Sequence, residues 1–317
     1  MQTIGNVWLW SGFAIVVIAA LLADLVLMRH GGAHKVSFKE ALWWSLGWIG
    51  LALAFNAGLW WYLRETIDVA TGNQYGLEFL TGYLVEKSLA VDNIFVFLMI
   101  MSYFAVPEKQ RQRVLVIGVL GAIVLRAIMI FAGSVLLTKF HWLLYVFGAF
   151  LLLTGIKMWF SAGKEPDLEA NPVLRFMRKH LRLTPQYHGN ALSVMQEGKR
   201  WYTPLFAVLM LIAITDVIFA VDSIPAIFAI TTDPFLVLTS NVFAVLGLRA
   251  MFFLLAGMAD RFHLLPYGLA IVLVFIGTKM LIIDLYKIPV LVSLLAVALI
   301  IGATVALSLL RPAKPAH

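Results

Sequence analysis

The stretch Glu86-Lys87-Ser88-Leu89-Ala90-Val91-Asp92-Asn93-Ile94 returns later in the chain as Asp216-Val217-Ile218-Phe219-Ala220-Val221-Asp222-Ser223-Ile224, with an acid at the same two places in each copy. Two further matches follow in the same order. Leu125-Arg126-Ala127 corresponds to Leu248-Arg249-Ala250, and Phe140-His141 with Gly155-Ile156-Lys157-Met158 corresponds to Phe262-His263 with Gly277-Thr278-Lys279-Met280. Three collinear matches mark an internal duplication. Both copies lie in very apolar surroundings: the 317 residues are 62% hydrophobic and 13% charged, with a mean hydropathy of +0.92. A soluble globule has roughly half its residues apolar and a quarter charged. The expected fold is therefore an all-α, polytopic membrane helix bundle, a single transmembrane domain over residues 1–317 with no room for a large catalytic domain outside the bilayer.

A hydrocarbon core about 30 Å thick takes roughly 20 apolar residues of helix. Runs that meet this length lie at about 7–28, 41–62, 79–103, 114–137, 141–161, 204–230, 238–259, 264–284 and 289–310, which predicts nine transmembrane helices. The duplicated segments then become repeat 1, about 79–161, and repeat 2, about 204–284. Each holds three spans, so the second copy enters the membrane from the other side, giving two inverted three-helix repeats. In secondary transporters such repeats carry the substrate near the midplane, frequently where helices are interrupted. Spans 1, 2 and 9 read as peripheral additions. The first run is expected to stay in the mature protein, since no Lys or Arg precedes it and Asp24 lies near its end.

Nine of the ten Trp sit at or near run ends, as in an interfacial belt, and only Trp48 lies deeper. Counting Lys and Arg loop by loop places sixteen on one side (Arg29, Lys35, Lys39, Lys109, Arg111, Arg113, Lys164, Arg175, Arg178, Lys179, Arg182, Lys199, Arg200, Arg261, Arg311, Lys314) and three on the other (Arg64, Lys139, Lys287). The positive-inside rule puts the N-terminus outside and the C-terminus in the cytoplasm. The net charge of +7 is thus topological and requires no nucleic acid; the lipid bilayer is the partner it implies. The one sizeable cytoplasmic loop, about 162–203, reads as a basic segment resting on anionic headgroups. Within it, Asn171-Pro172 should cap a short helix over 173–183, and Leu192–Met195 with Arg200–Tyr202 around Gly198 should pair as a small hairpin. Nothing in the sequence sets the oligomeric state.

Charged groups inside a bilayer cost at least a few kcal/mol each and normally mark a pathway or an ion pair. Here they are Asp24, Glu86, Lys87, Asp92, Arg126, Lys157, Asp216, Asp222, Arg249 and Lys279. Lys157 and Lys279 lie about a turn from their span ends and are expected to snorkel to water. The remaining acids exceed the remaining cations, which leaves room for a bound cation. Glu86, Asp92, Asp216 and Asp222 are the candidate metal ligands. Asn93, Ser223 and the Val221 carbonyl are supporting oxygens, and Lys87, Arg126, Arg249 and Asp24 complete the surroundings. The alternative for all four acids is plain helix fastening through Lys87, Arg126 and Arg249.

A spacing of six residues rotates about 600° on a helix, so the two acids of one copy stand about 120° apart and about 9 Å along the axis. Either acids from the two repeats meet across their interface, or the helices are broken. Pro225 favours a break in span 6, because it leaves the Val221 carbonyl without a partner beside Asp222. An all-oxygen set suits Mn2+, Mg2+ or Ca2+, and the chain has no Cys for thiolate ligation or thiol redox chemistry. No resident cofactor and no enzymatic activity are expected.

The two acid-bearing stretches, together with Thr232-Asp233-Pro234-Phe235, Thr239-Ser240-Asn241 and Leu246-Gly247-Leu248-Arg249-Ala250, resemble the signatures of the TerC family of membrane proteins. The resemblance runs from about Trp8 to Leu310, and the Ile282–Pro289 segment is similar to a pH-responsive inner-membrane branch of that family. It implies manganese export from the cytoplasm, with the signature acids as the cation site and Mn2+ as cargo; some relatives are associated with tellurium resistance or carry a redox-modulator label. Ala213 departs from the family, where a polar residue is frequent. The expectation is an inner-membrane exporter of a divalent cation, working by proton antiport. Its rivals are a membrane-embedded pH or redox-stress modulator without transport and an exporter of a small organic cation or amino acid. A large apolar cavity would point to the organic cargo, a tight oxygen cage to a metal.

Overall fold

The computed structural model describes residues 3–30, 37–140, 142–162, 171–196, 198–256 and 262–310, apart from the side chains of Leu25, Leu27, Met28, Arg29, His30 and Asp92. The side chains of Asp92 and Arg29, and His141, Lys35, Lys164, Arg261, Arg311 and Lys314 of the repeat and charge arguments, lie outside the described residues. Among the described residues, eleven helices and one hairpin follow in order: α1 (Val7–His30), α2 (Phe38–Thr66), α3 (Val69–Tyr103), α4 (Glu108–Lys139), α5 (Leu143–Ser161), α6 (Pro172–His180), β1 (Ser193–Gln196), β2 (Lys199–Tyr202), α7 (Pro204–Phe228), α8 (Pro234–Leu246), α9 (Leu248–Ala256), α10 (Leu265–Leu281) and α11 (Val290–Leu310). The protein is an all-α, multi-pass membrane protein. By length and composition six helices among the described residues can cross a membrane (α1, α2, α4, α5, α7 and α11), and a seventh span exists if α8 and α9, bent by 41° at their junction, count as one. The other two runs read from sequence became α3, which carries several charges, and the 17-residue α10.

Local chemistry sets the helix ends. Asp68 caps α3 by accepting from Thr71 N at 2.7 Å, Asn171 caps α6 through Val173 N at 2.9 Å, and Asp233 caps α8 through Phe235 N at 2.8 Å. Proline stands in the first turn of α6, α7, α8 and α10, where its missing N–H costs nothing. The expected cap, short helix and hairpin of the loop are all present. The helix ends at His180, before Leu183, because the chain there turns to bridge Tyr202. Leu174 and Met177 press α6 onto the bundle and leave its basic residues exposed.

All 13 residues of α8 are buried, so this helix forms the centre of the bundle. It packs on α3, while α4 packs on α7, and α5 lies along α10. The α5–α10 contact is backbone to backbone: a Cβ at Gly148 would stand 3.1 Å from the Gly277 carbonyl, and one at Gly155 2.9 Å from that of Ala270. Positions rise along α5 as they fall along α10, so the two helices run antiparallel.

Candidate functional site

The centre of the bundle is organised by Arg126 of α4, which is completely buried. Its Nη1 donates to Glu86 Oε1 of α3 and, at 3.3 Å, to Asn241 Oδ1 of α8. Its Nη2 and Nε donate to the two carboxylate oxygens of Asp216 on α7, at 3.1 and 3.4 Å. One guanidinium thus joins an acid from each sequence copy, in the forked geometry that arginine alone among the basic side chains provides. The arrangement leaves buried polar atoms unsatisfied: Glu86 Oε2, Asn241 Nδ2, Ser223 Oγ and Tyr83 OH have no hydrogen-bond partner among the described residues. Such groups cost free energy unless something else satisfies them.

Glu86 and Asp216 meet across the bundle, as the first of the two arrangements had it, but they do so through Arg126, the pairing that the helix-fastening alternative named. The expected break at Pro225 is not present: α7 continues through it to Phe228. Pro225 withholds only the one donor to the Val221 carbonyl, and residues 223–228 are all buried and held by their neighbours, so the helix runs on through it. The interruption falls instead at Gly247, between α8 and α9. There Lys87 Nζ donates to the Ala244 carbonyl at 3.1 Å. A half-helix C-terminus exposes carbonyls and the negative end of the helix dipole, so the ammonium both caps and neutralises it. Gly247 makes this possible, since a Cβ there would lie 2.7 Å from Lys87 Nζ.

Asp222 stands apart. It is half-buried, has no hydrogen bond or ion pair among the described residues, and lines a groove of about 250 Å3 with Asn93, Thr154, Lys157 and Ser161 between apolar walls that include Leu89 and Phe219. Asn93 and Ser223 are buried. The Val221 side chain is exposed, and Asp92 is a helical residue of α3. Arg249, the counterpart of Arg126, reaches Asp24 of α1 at 2.5 Å, both side chains 13% exposed. Among the described residues no three His, Cys, Asp or Glu side chains stand close enough to hold a metal ion.

Two lysine assignments change. Lys157 is exposed as expected, but it borders the Asp222 groove. Lys279 does not snorkel: it is 8% exposed and buried near Glu78. The sequence reading passed over Glu78, which fell one residue before the third run as drawn, and Asn241, whose amide oxygen faces Arg126. Asn241 carried a signal, because an amide inside an apolar run must find a partner.

The profile of the Integral membrane protein TerC family matches residues 71–315. The chain is 58% identical over 294 residues, 93% of its length and 91% of the relative's, to the "Putative membrane-bound redox modulator Alx" of Salmonella typhi. The protein of the same name from Escherichia coli K12 is likewise 58% identical, with 92% of its length covered. An uncharacterized membrane protein of Myxococcus xanthus, STKORF319, is 50% identical over 309 residues, 98% of this chain and 94% of the relative. No solved structure matches. The chain belongs to the TerC family of integral membrane proteins.

Proposed function

We propose that the protein is a secondary transporter of the bacterial inner membrane, not an enzyme, that exports a divalent cation, Mn2+, in exchange for protons. Nine spans, built around two inverted repeats (α3–α5 and α7–α10), carry out alternating access with the N-terminus outside and the C-terminus in the cytoplasm. The pairing of helices supports the inverted relation: α3 on α8 and α7 on α4 are exchanged by it, and the antiparallel α5–α10 contact maps onto itself. The observation that carries the cargo assignment is the meeting of Glu86 and Asp216 with unsatisfied oxygens on Glu86 and Ser223, together with a groove lined by Asp222 and Asn93. These are hard oxygen donors suited to such a cation.

Protons are the natural counter-ligand, because empty acids in a low-dielectric site hold protons that a metal must displace. The test is Mn2+ flux in liposomes carrying the full chain. Wild type should move Mn2+ and counter-move protons, and Asp222→Asn, which keeps the shape and removes the charge, should abolish the flux. Flux unchanged in Asp222→Asn would overturn the assignment.

The groove itself favours a second reading. It offers a carboxylate, an ammonium and hydroxyls between apolar walls, a match for a small zwitterion such as an amino acid. Efflux of preloaded amino acids from the same liposomes, without Mn2+ movement, would decide for it. The redox role in the relatives' name would need a couple other than thiols here, as the chain has no Cys.

A further inference from the structure

Lys157 and Lys279 occupy the same place in the two sequence copies, Gly155-Ile156-Lys157-Met158 and Gly277-Thr278-Lys279-Met280. Each stands near the C-terminal end of its helix, and because α5 and α10 are antiparallel the two ammonium groups mark opposite ends of one smooth, glycine-packed pair. Their surroundings differ sharply. At the α10 end the chain is closed: Glu78, Thr231, Asp233 and Lys279 are all 8% exposed or less. Gln74 Nε2 holds Glu78 Oε1 at 2.9 Å, and the N-terminal segment straps over Asp233, with Thr3 Oγ1 at 3.0 Å and Ile4 N at 2.8 Å. Glu78 and Lys279 carry opposite charges near each other within this plug, without a direct ion pair among the described residues. At the α5 end Lys157 is exposed and borders the groove that leads to Asp222.

In an inverted-repeat transporter, a sharp difference in burial between equivalent residues at opposite ends is the pattern of a molecule held on one side of a two-state exchange. We propose that Lys157 and Lys279 are paired gate residues: this conformation is closed at the Glu78–Lys279 end and open at the Lys157–Asp222 end, and in the opposite conformation the two lysines exchange burial. The inference rests on the transport reading above and adds to it which residues form the gates. By the Lys and Arg distribution, the open end is the cytoplasmic one.

The chain contains no Cys, so single cysteines can report on each end with both lysines kept. The reporters are Met158→Cys, on the groove, and Met280→Cys, 1% exposed beside the plug. In the full chain in detergent, where reagent reaches both ends, Met158→Cys should react with a polar maleimide at least about tenfold faster than Met280→Cys, the ratio set by the population of the minor state. Glu78→Gln should speed Met280→Cys by about tenfold and slow Met158→Cys, a reciprocal change that simple loosening of the fold does not produce. Lys279→Gln removes the other partner of the plug and carries the same expectation, should Glu78→Gln fail to fold. Equal reactivity at rest, or variants that move both reporters in one direction or neither, overturn the proposal. The labelling needs no cargo, so it stands or falls separately from Mn2+ flux: wild-type liposomes without flux would sink the cargo assignment, while active liposomes without reciprocal labelling would sink the gates.

Discussion

Arg126 and Arg249 come from the same Leu-Arg-Ala motif, yet they hold the molecule together in different ways. Arg126 is completely buried and joins two acids on α3 and α7, whereas Arg249 is partly exposed and ties α9 to a single acid, Asp24, on α1. The duplication thus supplied two cations, and the neighbourhood decided what each became. In the first copy the arginine faces the helices that carry the duplicated acids. In the second, the arginine stands just past the 41° bend at Gly247 and reaches Asp24 of α1. A helix that reads as a peripheral addition therefore holds the broken element at its start and just after its break, through the preceding Thr3 and Ile4 on Asp233 and through Asp24 on Arg249.

The largest effect should come from Arg126→Gln. It leaves two buried carboxylates facing each other without a cation, and breaking a buried pair by removing one partner costs about 3 to 5 kcal/mol. The variant should lose most of its folded population, read as the midpoint of thermal inactivation or denaturant unfolding in detergent. Arg249→Gln should cost less, about 1.5 to 3 kcal/mol, the range for a hydrogen bond to a charged group, since water can reach what it leaves behind. Equal costs would mean that the burial difference between the two arginines does not govern their contributions.

Gly247→Ala probes the bend that separates the two environments. Its φ of −86° suits any residue, so backbone strain is not the issue. The added methyl would instead meet Lys87 Nζ at 2.7 Å and Trp48 Cβ at 3.1 Å. Lys87 can move, but only by giving up the Ala244 carbonyl, so a loss of about 1 to 2 kcal/mol is expected, split between that hydrogen bond and crowding against Trp48. A double variant with Lys87→Met should cost less than the two single losses added together, because both act on one contact. Strict additivity would separate the glycine from the lysine.

What was legible in the sequence was what local chemistry or duplication writes there. Asn171-Pro172 announced α6 because a cap and an N1 proline act within one turn, and Glu86 and Asp216 stood out because they recur. Arg126 was named as one possible partner, but that it would take one acid from each copy was less visible, since this depends on helices brought together only by the fold. The break at Gly247 was hidden because a glycine in an apolar run reads as close packing, while Pro225 drew attention and proved harmless. The start of α3, ten residues before the third run, was masked by Gly72, Asn73, Gln74 and Gly76. Those residues belong to a tight α2–α3 contact in which a Cβ at Gly72 would lie 3.0 Å from the Trp60 carbonyl and Asn73 accepts from Trp60 Nε1 at 2.8 Å. Lys279 was misread for a related reason: its burial depends on Glu78, part of that same masked turn of helix.

The smallest effect belongs to a carboxylate at the opposite extreme from Glu86 and Asp216. Asp68 is exposed in the turn between α2 and α3, where it accepts from Thr71 N and Thr71 Oγ1, both at 2.7 Å. The Thr71 backbone N–H, reinforced by its hydroxyl, holds the carboxyl below its ordinary value of 3.8. The charged form is the one that the folded state favours, so the cap contributes fully above the unfolded value and is lost as pH falls through the lowered one. Asp68→Ala should therefore speed hydrogen exchange at the Thr71 amide relative to wild type at neutral pH, and the ratio should fall towards one as the pH drops below 3.8. Asp68→Asn, which keeps an acceptor but no charge, should lose less protection and show no acid transition of its own. A ratio that stays constant from pH 7 to about 2, beneath the ordinary carboxylate range, would show that the helix end is held by packing against Trp60 and Arg64 and not by the cap.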